Sequence, residues 1–176
     1  MKRVTLSLLL GSLLLAQSPK DAFFQERKQL QERAKAAFDR EMAREKAGDC
    51  RDAKYTRELN QCFGGEVETS TANYQAYSGA LRAMLQQKNP FDSGSTGEFR
   101  GPTGRVHTQQ EIINEFDQAQ LTWEKYRDAF CSGADGLYRG GTAVNIMVGA
   151  CQLMVLRSHM RELAAVYGEY LSHESD

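Results

Sequence analysis

Residues 108–131 read TQQEIINEFDQAQLTWEKYRDAFC, and the period of this stretch decides the fold. Its first four residues, Thr108 to Glu111, have the spacing of a capping box, in which a Thr hydroxyl and a Glu carboxylate each satisfy a free backbone N–H at a helix start. Behind them Ile112, Phe116, Ala119, Trp123, Tyr126 and Phe130 step by four and three, the repeat of one helical face. A second run, Ile146, Gly149, Leu153, Leu156, Met160, Leu163, Tyr167 and Tyr170, keeps the same repeat. Between the two lies the glycine-rich segment from Ser132 to Gly141, which lets the second helix fold back against the first.

Upstream, Val67, Thr71, Tyr74, Ser78, Leu81 and Leu85 mark a third helix, with Gly64 and Gly65 breaking it from a short helical segment that carries Glu58 to Cys62. Residues 17–49 form a charged N-terminal helix. Mixed-sign charges fall at nearly every second position there, and Phe23, Leu30, Ala34, Ala37 and Phe38 make only a thin apolar stripe. Pro19 suits its first turn and Gly48 its end, and the charge run reads as a wet face rather than a binding site. Residues 88–107 hold Pro90 and Pro102 with Gly94, Gly97, Gly101 and Gly104, the composition of a flexible connector. No stretch alternates apolar and polar residues for long enough to predict a strand.

The N-terminus supplies the compartment. Lys2 and Arg3 precede the apolar run Val4 to Leu15, followed by Ala16, which is the order of a secretory signal over residues 1–16. The run is too short to span a bilayer, so no stable membrane insertion is expected once the signal is cut; an uncleaved anchor is the competing reading. All four cysteines, Cys50, Cys62, Cys131 and Cys151, fall in the exported part, where disulfides are permitted. Of the three connectivities, the local one, Cys50 with Cys62 and Cys131 with Cys151, closes the smallest loops. A bridge from Cys131 to Cys151 would pin the helical hairpin. The expected fold is therefore all-α: a small disulfide-stapled bundle of about four helices, its main domain at 50–172.

Charge and chemistry narrow the function by exclusion. With 22 Lys and Arg against 23 Asp and Glu, the chain lacks the basic excess of a domain that neutralises nucleic-acid phosphates. Taking Lys2 and Arg3 from the 22 leaves 20 basic groups against 23 acidic, a mild lean toward basic partners. No cysteine pair has C-x-x-C spacing, and His107, His159 and His173 are scattered, so no metal site is expected. Ser93 and Ser95 lack the pattern of a nucleophile elbow, and Gly101 to Arg105 lacks the Lys-Ser/Thr of a phosphate loop. His159 sits beside the apolar stripe of the last helix and reads as a partly buried structural histidine rather than a general base. Glu66, Glu68 and Asp135 show no spacing that would pair them as acids. The expectation is a protein without catalytic residues or cofactors. Trp123 reads as core, whereas Arg127 and Asp128 admit two readings: an anchor for the nearby loop through backbone carbonyls, or solvated surface charge.

Gln120, Trp123, Tyr126, Arg127, Asp128, Ala129 and Cys131, followed by Gly140, Gly141, Thr142 and Cys151, resemble the signature of the LprI-like lysozyme inhibitor family. Glu58 to Cys62 resembles its first cysteine block, with Cys50 where the partner cysteine is expected. The chain departs from that signature at Thr71, at Tyr74 and Gln75, and at Leu156 and His159; its connector is also longer. The resemblance implies a secreted or periplasmic helical protein with two disulfides that binds a protein partner such as a peptidoglycan-cleaving lysozyme or another cell-wall hydrolase. An envelope interaction or structural module with no inhibitory activity is the alternative. The resemblance leaves the contact residues open, with the Ser132 to Gly141 segment and the connector as candidates.

Overall fold

The computed structural model describes residues 18–88, 98–100, 104, 106–138 and 141–172, without the side chains of 98–100 and 169–172. The segment 1–16 that is expected to be a signal, Ser93, Ser95, most of the Gly101 to Arg105 segment, Gly140 and His173 lie outside them. Four long helices make the molecule: α1 (Pro19–Ala47), α2 (Thr56–Gln86), α3 (Gln109–Tyr138) and α4 (Val144–Ser172). The expected all-α bundle of four helices is what forms.

Helix α1 begins and ends on local chemistry. Ser18 accepts a hydrogen bond from the Asp21 N–H, Pro19 occupies the first turn, and Gly48 closes the helix at φ +85°, donating its N–H to the carbonyls of Arg44 and Glu45. A left-handed φ of this kind favours glycine. The capping box of α3 forms as the sequence predicts: the Glu111 N–H donates to Thr108 Oγ1 at 3.2 Å, and the Thr108 N–H donates to Glu111 Oε2 at 2.8 Å.

Two glycine-based expectations are overturned. Helix α2 runs unbroken through Gly64 and Gly65, and α3 continues through Gly133 and Gly136 to Tyr138, so the loop between α3 and α4 is much shorter than Ser132 to Gly141. A glycine inside a helix costs about 1 kcal/mol against alanine. That is small beside the packing and bridging that hold the surrounding turns, so these glycines lower helix propensity without ending the helix. A strand pair was not expected either. Strands β1 (Glu98–Arg100) and β2 (Val106–Thr108) pair antiparallel, with Phe99 opposite His107, but three residues each are too few for an alternating pattern to register.

Helix α2 is central, packed against α1, α3 and α4. The predicted Tyr74, Leu81 and Leu85 are buried, but the buried surface is wider and takes in Ser70, Asn73, Tyr77, Ala80 and Met84 because more than one helix covers it. From α1 come Leu30, Ala34 and Ala37, from α3 Ile113, Phe116 and Trp123, and from α4 Leu156, Met160 and Leu163. Gly149 of α4 lies where an added Cβ would come 3.0 Å from Phe63 Cβ, so the absence of a side chain allows α4 to close on α2. The structure joins Cys50 to Cys62 and Cys131 to Cys151, the pairing with the smallest loops.

The stripe predicted for α3 is rotated. Cys131 is buried by its bridge to α4, so Phe130, 100° away around the helix, faces out; Ala119 and Tyr126 are exposed with it. Ile113 rather than Ile112 enters the core.

Candidate functional site

Where α3 lies along α4, side chains from three helices converge on Trp123. The His159 ring of α4 stacks on the indole, with centroids 4.3 Å apart and planes 10° from parallel. Tyr74 of α2 packs against both, 4.9 Å from Trp123 and 5.9 Å from His159. The Arg127 guanidinium lies 5.1 Å from the centre of the Trp123 ring, a cation–π distance. Polar atoms finish the cluster: Tyr74 Oη donates to Gln120 Oε1 at 2.7 Å, while His159 Nδ1 is 3.1 Å from Glu162 Oε2 and Nε2 is 3.0 Å from Gln120 Oε1.

Electrostatics follow from this enclosure. Burial pushes His159 below the ordinary imidazole value, and the Glu162 carboxylate opposes part of the shift. Protonation makes both ring nitrogens donors and satisfies Glu162 Oε2 and Gln120 Oε1 together, whereas the neutral ring donates to only one of them. Burial and the nearby Glu124 charge push the Tyr74 hydroxyl up to about 12.

The residues that the sequence likens to a family signature are placed differently. Gln120, Trp123 and Arg127 meet in the cluster. Asp128 is exposed and accepts from Arg127 Nε at 2.9 Å. Neither reading of Arg127 describes its position: among the described residues its partners are Asp128 and the Trp123 face, and its side chain is mostly covered. Gly141 belongs to the turn into α4, where its N–H donates to the Tyr138 carbonyl and an added Cβ would come 3.2 Å from that oxygen. Asn60 Nδ2 reaches the Thr142 carbonyl at 3.4 Å, linking this turn to the first cysteine block. Two positions at which the chain departs from the signature, Tyr74 and His159, touch each other here. The acids do not assemble: Glu66 pairs with Arg44, and Glu68 and Asp135 are exposed.

Beside the cluster, Ala119, Thr122, Trp123 and Tyr126 of α3 and His159 and Glu162 of α4 line an open groove. Tyr126 stacks on Phe130, with centroids 5.5 Å apart and planes 17° from parallel, yet the two are 54% and 51% exposed. Nothing in the described chain covers this aromatic pair fully.

A second polar cluster escaped the sequence reading. Glu41, on the charged helix α1, has no exposed surface; it accepts from Ser70 Oγ at 2.6 Å, Asn73 Nδ2 at 2.9 Å and Arg157 Nε at 2.8 Å. Arg157 also grips Asp49 through both terminal nitrogens, at 2.6 and 2.8 Å. Burial alone would raise the Glu41 carboxyl, but the hydrogen bonds and the Arg157 charge more than reverse that and hold it below the usual carboxylate range. The same bonds raise Arg157 against the opposing effect of burial. A signal was present: Leu30, Ala34, Ala37 and Glu41 step by four, three and four, which places Glu41 on the apolar stripe. The saturated ion pairs make this cluster a structural staple joining α1, α2 and α4.

A family model described as "Lysozyme inhibitor LprI" matches residues 47–163, which include both bridges and the whole Trp123 cluster. No curated protein and no solved structure gives a significant match.

Proposed function

Because the chain belongs to the LprI lysozyme inhibitor family, we propose that it is exported and that it binds a lysozyme, or a related peptidoglycan-cleaving enzyme, and blocks it. The observation that carries this reading is the family match across residues 47–163. Two further features support it. The leader pattern of residues 1–16 and two bridges suit an oxidising compartment outside the cytoplasm. The acidic balance left after leader removal suits a basic enzyme, chiefly by raising the association rate. None of the described helices is long and apolar enough to cross a membrane.

Inhibition of this kind needs no chemistry from the inhibitor. It needs a rigid surface that excludes substrate from the enzyme's cleft, built from a few fully desolvated anchors. A bundle with both hairpin ends bridged meets the requirement for rigidity. The test is calorimetric titration of the purified oxidised protein into c-type lysozyme. Saturable heat at a fixed stoichiometry is expected; an absence of heat at micromolar concentrations of both proteins contradicts binding to that enzyme.

A further inference from the structure

The groove between α3 and α4 combines three properties that select an occupant. An exposed aromatic ring, Tyr126, lines it, and Phe130, outside the lining, stacks on that ring. It has a carboxylate at its rim, Glu162, whose side chain is 65% exposed although one oxygen faces His159. No Lys or Arg lines it. The helix that forms its wall is also the acidic one: α3 carries Glu111, Glu115, Asp117, Glu124, Asp128 and Asp135 against Lys125 and Arg127. Helix α1, by contrast, has eight basic residues against six acidic. The chain's acidity is thus concentrated on the helix that presents the exposed aromatics.

From this juxtaposition we propose that the α3–α4 groove is the docking surface, and that it takes an Arg or Lys side chain from a basic protein partner, held against the Tyr126 ring and paired with Glu162. The chemistry is a cation–π contact and an ion pair sharing one cation, and a partly desolvated cation over an aromatic face is worth more than an exposed one. Trp123 does not serve as the open face, because His159 and Arg127 already pack against it. It instead fixes the floor and reports on occupancy. That the partner is a lysozyme rests on the function proposed above; the groove's preference for a cation does not.

Trp123 is the only tryptophan in the chain, so its fluorescence reads the groove directly. Hexa-arginine, which has no tryptophan, is titrated into the wild-type protein and into Tyr126→Ala, Glu162→Gln and Glu32→Gln, the last removing an exposed carboxylate on α1 as a charge-matched control. A saturable change is expected for the wild type, with the midpoint at least tenfold higher in Tyr126→Ala and Glu162→Gln and unmoved in Glu32→Gln. No fluorescence change, or an equal shift in all three variants, overturns the groove. The same variants are then titrated into c-type lysozyme, where the first two are expected to bind at least tenfold more weakly; wild-type affinity in both overturns the groove as the lysozyme-binding surface. If the wild type takes hexa-arginine but not lysozyme, the groove stands and the lysozyme reading fails.

Discussion

Glu41 receives hydrogen bonds from Ser70, Asn73 and Arg157, and water has no access to its side chain. Removing one partner of such a pair leaves a buried charge uncompensated, at a cost of about 3 to 5 kcal/mol. Glu41→Ala is therefore expected to lower stability by that amount in urea unfolding, and a loss below about 1 kcal/mol would show that water replaces the carboxylate. Because its folded value lies below the ordinary 4.5, the stability Glu41 contributes is complete above that pH and is lost as pH falls through the folded value. His159 acts in a higher window. Its folded value is lowered from 6.5 by burial, so the unfolded chain takes up the proton first, and stability declines as pH falls below 6.5. Thermal melts between pH 7 and pH 5 are expected to show this slope in the wild type and to lose it in His159→Gln; an unchanged slope would place the titration elsewhere. The sequence shows His159 beside an apolar stripe, and the structure buries it as a structural side chain. What the sequence does not show is its partner, since the stacking on Trp123 depends on how two helices are set against each other.

At the scale of elements, the four-and-three periodicity identifies α2, α3 and α4, a thin apolar stripe among mixed charges identifies α1, and local chemistry fixes several ends: Ser18 and Gly48 on α1, the Thr108 to Glu111 box on α3. Periodicity is less able to say which side of a helix is buried. The apolar run on α3 is wider than the strip its neighbours cover, so Tyr126 and Phe130 share the helical repeat of core residues and yet face outward. The Cys131 to Cys151 bridge settles that rotation, and only the pairing of the chain's cysteines reveals it. Closing a loop of that size contributes about 3 kcal/mol in the chain-entropy model. Replacing Cys131 and Cys151 together by Ser is expected to lower stability by about that much. It should also free α3 to turn, with greater solvent quenching of Trp123; a change below 1 kcal/mol would mean that packing alone holds the hairpin. Mass spectrometry of non-reduced peptides checks the pairing, and a Cys50 to Cys131 crosslink would contradict it.

For the whole molecule, charge is distributed rather than balanced. The family-matched stretch begins at residue 47, at the last residue of α1, yet α1 carries Glu41 into the centre of the bundle and has eight basic residues against six acidic. The opposite bias sits on α3, which presents the exposed, stacked Tyr126 and Phe130 pair beside the α3–α4 groove. Composition reports a net charge of -1 and conceals this polarity, because the sum over the chain cancels what the helices separate. A bridged bundle with an exposed aromatic pair on its most acidic helix is suited to docking against a basic protein surface. The most direct measurement is lysis of a bacterial cell-wall suspension by c-type lysozyme in the presence of increasing amounts of the oxidised protein. Lysis is expected to fall in a saturable way and to recover when the bridges are reduced. Undiminished lysis at a large molar excess of the protein would contradict inhibition of that enzyme and leave an envelope interaction module as the better description.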